Sequence, residues 1–273
     1  MRRLQISLLA AVAVIGFASI THAADMPTKA PPMAPVVAPA SSWTGFYVGG
    51  EVGGKWTDGN WNTTCLTDDG VCPGFSLDPS SSQKLQPSSL RAGGYAGYNW
   101  QVSNWVLGAE VDFAWANSTK TVTGIPGCSV APAFCGAYTG AGITAANDSA
   151  SIRSTWDGAI RARLGFLVTP NWLVYAAGGF AEQGVQSTVN CFGPTSPWCQ
   201  TTRSQTFNGA LPGWTIGGGL EWMVTNHWLA RAEYRYSDFG KWNNTYFSGT
   251  PDQINTTIKF TTQIATVGLA YKW

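Results

Sequence analysis

The segment Val267-Gly268-Leu269-Ala270-Tyr271-Lys272-Trp273 limits what this chain can fold into more tightly than any other. With Ala265, its odd positions are apolar or aromatic, while Thr266, Gly268, Ala270 and Lys272 fill the even ones. Strand side chains alternate between two faces, so one face is greasy and the other small or polar. In water such a strand leaves its last Trp exposed. Against lipid, an aromatic ring in that place seats at the headgroup layer.

The other end points to export. Met1-Arg2-Arg3 is a positive start, Leu4 to Ile20 is almost wholly apolar, and Thr21-His22-Ala23-Ala24 offers small residues for cleavage. That is the pattern of a secretory signal peptide, with a cut after Ala23. As an anchor helix the run is short for a span. Residues 24–42 hold Pro27, Pro31, Pro32, Pro35 and Pro39 and read as an extended periplasmic leader. The expected division is therefore 1–23 signal peptide, 24–42 leader and 43–273 one β-barrel domain. Without Arg2 and Arg3 the charges nearly cancel, which argues against a nucleic-acid partner. Charged residues are only 11% of the chain, against roughly 25% in a soluble domain.

Alternation marks eight strands. The first runs from Phe46 to Trp56, followed by 89–100, 105–115, 152–168 and 171–182. The last three are Trp214 to Val224, Ala230 to Tyr236 and 258–273. In the fourth, Ile152, Trp156, Ile160 and Leu164 oppose Arg153, Asp157, Arg161 and Arg163. The fifth has apolar residues on both faces. Connections at Gln101–Asn104, Thr169–Asn171 and Thr225–His227 are short, and those at 57–88, 117–149, 184–212 and 239–257 are long. This strict alternation predicts an all-β, eight-stranded antiparallel transmembrane barrel with short periplasmic turns and four long external loops. A soluble barrel of lipocalin type is the alternative, with its apolar face inside. Trp placement separates the two. Trp43, Trp100, Trp105, Trp172, Trp222, Trp228 and Trp273, half of the 14, fall at the short-turn end. In lipid they form an interfacial girdle, whereas in water they are an exposed apolar band.

Several motifs carry a resemblance. They are Trp43-Thr44-Gly45-Phe46-Tyr47-Val48-Gly49-Gly50, Gly94-Tyr95-Ala96-Gly97-Tyr98-Asn99 and Arg161-Ala162-Arg163-Leu164-Gly165, with Tyr175-Ala176-Ala177-Gly178-Gly179 and Glu233-Tyr234-Arg235-Tyr236. Over about 43–273 the chain resembles the porin-family outer-membrane β-barrels of alphaproteobacteria, surface antigens related to the OmpA transmembrane domain. Its final strand resembles the signal read by the barrel-assembly machinery, with Trp where Phe is usual. The resemblance implies an outer-membrane location and contact with lipid and lipopolysaccharide. It leaves activity open among porin, structural protein, surface antigen and haem binder.

The inward parity collects Glu51, Lys55, Arg91, Glu110, Asp112, Arg153, Asp157, Arg161, Arg163, Glu182, Glu221, Arg231, Glu233, Arg235 and Lys272. Long charged side chains nearly balanced in sign inside so narrow a tube predict a salt-bridged plug, and a pore needs space left over. Catalysis finds little support. His22 leaves with the signal and His227 sits in a periplasmic turn, so no His reaches the external rim. Glu110 and Asp112 as a glycosidase pair face arginines, and Gly49 to Lys55 lacks the Ser/Thr and the helix of a phosphate loop. No cofactor or metal is called for.

Six cysteines fall as Cys65/Cys72, Cys128/Cys135 and Cys191/Cys199, each pair inside one predicted long loop. Export favours three local disulfides, although sequence alone allows 15 pairings. Zinc is the runner-up, without the usual spacing or a nearby His. Two main functions stand: a surface-interaction protein whose barrel holds external loops, and a narrow channel for small polar solutes. Haem or ligand capture is a weaker third.

Overall fold

The computed structural model describes residues 42–66, 82–126, 148–193 and 201–273. The signal peptide, residues 24–41 of the leader, Cys72, Cys128, Cys135 and Cys199 lie outside these. The strands are β1 (Gly45–Leu66), β2 (Gln83–Leu85), β3 (Ser88–Val102), β4 (Trp105–Thr123), β5 (Ser149–Thr169), β6 (Trp172–Phe192), β7 (Thr202–Met223), β8 (Trp228–Tyr246) and β9 (Ile254–Lys272). All neighbours are antiparallel, and β1 pairs with β9 from Tyr47↔Lys272 to Leu66↔Ile254, closing the ring. Short β2 continues β3 along the same edge of β1, from Trp56↔Ser88 to Gly59↔Leu85. Pro87 separates them because it has no N–H for the ladder, although its carbonyl still accepts from Thr57 N at 3.1 Å. The ring thus has eight walls.

The long connections foreseen at 57–88, 117–149, 184–212 and 239–257 begin and end in strand, at 57–66, 83–85, 117–123, 184–192, 202–212, 239–246 and 254–257. β1 runs ten residues past Trp56, and β6 and β7 continue as one hairpin to Phe192↔Thr202. Strands of 19–22 residues rise about 3.3 Å per residue and tilt about 40°, so they stand about 50 Å tall, twice the apolar band of a bilayer.

The band can be located on the outer wall. Exposed Trp100, Trp105, Trp172, Trp222, Trp228 and Trp273 ring the short-turn end. A second ring, which the sequence reading did not identify, comprises Trp56, Trp115 and Trp214 with Phe113 and Phe180. From Trp105 to Trp115 along β4 the rings stand about 25 Å apart at that rise and tilt. Between them lie Leu107, Val111, Ile160, Leu164, Leu220 and Leu269, all exposed on the outer face.

Above the upper ring the barrel changes character. The β3–β4 pairing ends at Ala92↔Trp115, and the β7–β8 pairing ends at Trp214↔Asp238. The other pairings continue upward. The walls therefore part into two four-stranded sheets, β4-β5-β6-β7 and β8-β9-β1-β2. Ile152, Val185 and Val189 from the first and Trp61, Tyr246, Ile258 and Phe260 from the second fill the space between them. Outward-facing Asn62, Asn243, Asn255, Thr257 and Thr206 are polar, as on a soluble sandwich.

Candidate functional site: a charged lumen between two apolar layers

The lumen inside the membrane band is a single ion-pair network. Lys55 Nζ lies 2.9 Å from Asp157 Oδ1. Arg91 reaches Asp157 at 2.9 Å, Asp112 at 2.8 Å and also Glu51. Arg235 bridges Asp112 at 2.8 Å and Asp157 at 3.1 Å. Arg161 spans Glu110 at 2.6 Å and Glu233 at 2.5 Å. Arg163 pairs with Glu221 at 2.8 Å and Glu110 at 3.2 Å, and Arg231 donates to Glu221 at 2.9 Å and to Glu110. Six cations thus face six carboxylates, each under 10% exposed. A buried charge is tolerable only when it is paired, and every charge of this network has an opposite charge within 4 Å.

Three tyrosines complete the network, and none was assigned to it from sequence. Tyr47 OH donates to Glu110 Oε2 at 2.8 Å and accepts from Arg163 at 2.6 Å. Tyr175 OH donates to Glu233 Oε2 at 2.6 Å. Arg231 lies 3.9 Å over the Tyr95 ring, and Arg163 4.1 Å over that of Tyr175. Tyr47 and Tyr95 share the inward parity of the arginines, which was the available signal. Glycine makes the room they need. A Cβ on Gly49 would stand 2.6 Å from the Tyr95 ring, and one on Gly97 would strike Tyr47.

Apolar layers close the network at both ends. Below it, Val106, Leu167, Leu173, Met223 and Leu229 pack around Trp43. Trp43 was assigned to the outer girdle, but it is 0% exposed and lies inside. Its ring N–H donates to Pro170 O at 3.0 Å, and its backbone N–H to Gln101 Oε1 at 2.8 Å. Those partners hold it across the periplasmic mouth, where Lys272 Nζ donates to the adjacent Thr44 O at 3.5 Å. Above the network lies the sandwich core.

Two further assignments change. Arg153 was placed in the lumen, with Ile152 on lipid. A bulge between Ser154 and Trp156 adds one residue to β5, and this reverses the facing of everything above it. Ile152 is consequently buried inside, and Arg153 lies outside, donating to Asn117 Oδ1 at 2.7 Å. Glu182 also faces out, between buried Ala181 and Gln183. Cys65 and Cys191 belong to strands β1 and β6, not to loops. Cys191 is buried and disulfide-bonded, its partner not among the described side chains. His227 stacks on Tyr271 at the periplasmic end, and its Nδ1 lies 2.9 Å from Lys272 O.

A closed antiparallel ring with an apolar band between two aromatic girdles and a charged, filled lumen defines an outer-membrane β-barrel. Comparison with known proteins agrees. Residues 10–272 match the model of the outer membrane protein beta-barrel domain, and the chain belongs to that family. It is 33% identical over 181 residues to the 31 kDa outer-membrane immunogenic protein of Brucella melitensis, covering 63% of this chain and 65% of that relative's length. It is 28% identical to the 25 kDa outer-membrane immunogenic protein of Brucella abortus over the whole of both. Among solved structures it is similar to the outer membrane protein OprG of Pseudomonas aeruginosa, with 12% identity, TM-score 0.46, and coverage of 84% of this chain and 96% of that one.

Proposed function

We propose that this protein is a non-conducting, non-enzymatic barrel that carries a folded β-sandwich at the cell surface as an interaction platform. The observation that carries this reading is the lumen, where six cations and six carboxylates, all buried and cross-linked by ion pairs, lie between two apolar layers. A solute path for polar molecules would need wet charged groups along the whole tube. The relatives' description as immunogenic agrees with a protein presented outside the cell. Lipid and lipopolysaccharide surround the wall, and the β9 terminus engages the barrel-assembly machinery. Cys65–Cys72, Cys128–Cys135 and Cys191–Cys199 form three local disulfides, which peptide mapping without reductant would reveal as such. Planar-bilayer recording of the refolded chain tests the main claim. No stable steps are expected, and a reproducible small-solute pore would overturn the reading in favour of a channel.

A further inference from the structure

The upper sandwich has four sheet edges, and three of them are blunted. β2 is three residues long, carries Lys84 and is cut short by Pro87. β4 has a bulge between Trp115 and Ser118 and carries exposed Lys120. β8 has a bulge between Asp238 and Lys241, with Gly240 at φ 69° and Lys241 exposed. Short length, bulges and lysines are the usual protections of an edge. β7 has none of these over Thr202–Leu211. It pairs with β6 without a register shift, and no described residue pairs with the backbone of its other side.

We infer that this β7 edge, unpaired among the described residues, is a docking site for an extended polypeptide segment of a partner protein, which adds a strand to the sheet. The groups on offer select that class of ligand. Every second residue of Thr202–Leu211 directs its N–H and C=O away from β6, and only another extended backbone presents donors and acceptors at the matching repeat. The side chains beside the edge fit an apolar anchor. Phe207 and Trp242 face inward yet remain part-exposed, as does Val122 on β4, while the cluster they pack against is buried. Phe207 meets Tyr246 edge-on at 5.0 Å, and Trp242 lies against Gly209, where a Cβ would stand 3.0 Å from its ring. The lips add a charge preference. Arg203 and Lys241 are accessible, while Asp252, the partner of Arg203 at 3.5 Å, is almost wholly buried. The accessible charge there is positive, so the segment that fits alternates apolar residues with polar ones and has acidic flanks.

The proposal rests on the surface-platform reading, but its test is independent of conductance, so the failure of one is distinguishable from the failure of the other. The probe is a displayed library of random twelve-residue peptides, selected on the full refolded chain in nanodiscs. Selected peptides should bind Phe207→Ala and Trp242→Ala at least about ten-fold more weakly, with heat-modifiable migration showing that both variants are folded. Amide exchange of the unaltered chain provides a second readout. Edge-facing amides within 202–211 should exchange freely alone and slow at least about ten-fold on binding. Four results would overturn the proposal: no selected peptide, binding indifferent to both variants, amides already protected in the free protein, or protection that rises with protein concentration alone. The last would make a second copy the occupant.

Discussion

In the lower part of β9, Val267 and Leu269 face outward while Thr266 faces the lumen; in the upper part, Ile258 and Phe260 face inward while Thr257 and Lys259 face outward. One strand thus serves two solvents. Where lipid surrounds the wall, apolar side chains gain nothing by turning inward, and the interior goes to a charge-balanced network. Where water surrounds it, burial of apolar surface at about 25 cal/mol per Å² draws the same kinds of residue inside. The lower region is held by closed backbone hydrogen bonding and ion pairs, the upper by packing. Polarity therefore follows the medium, with the backbone ladder common to both.

Substitutions that strike one region and spare the other can break this contrast. The largest effect belongs to Glu110→Ala, which removes one carboxylate partner from Arg161, Arg163 and Arg231 at once and leaves the buried network one charge out of balance. Reversible urea unfolding in vesicles should show a loss of about 5 kcal/mol, the upper end for a broken buried pair. Next comes Phe260→Ala in the sandwich, at about 4 kcal/mol. That loss should speed amide exchange in the upper halves of the strands and leave the lower halves around the network unchanged. Leu164→Arg, on the lipid face between the girdles, should cost about 3 kcal/mol. The matching change above the girdle, Thr257→Arg, should fall within about 0.5 kcal/mol. Equal costs for the last two would mean that lipid reaches the sandwich.

Alternation alone exposed the ring of eight walls, the short turns and most of the lumen, because inside the band each strand keeps one parity from end to end. Arg161, Arg163, Arg231 and Arg235 sit in the tube for that reason. The upper region was hidden by two devices. In β9 the apolar parity itself switches, from even at Ile258, Phe260 and Ile264 to odd at Ala265, Val267 and Leu269. In β5 the parity never changes, and the bulge at Ser154–Trp156 carries Ile152 from the outer to the inner face. Read without the bulge, Ile152 belongs on lipid and Arg153 in the lumen. Trp43 was misplaced for a different reason, since it precedes β1 and no strand periodicity governs where it points.

The exchange of inside and outside along one strand is tested most directly by an environment-sensitive fluorescent amino acid placed singly at 257, 258, 267 and 269 in the vesicle-embedded protein. A lipid-borne quencher should reach 267 and 269 only, and an aqueous quencher 257 only, leaving 258 dark to both. Quenching of 257 from the lipid, or of 258 from water, would contradict the account.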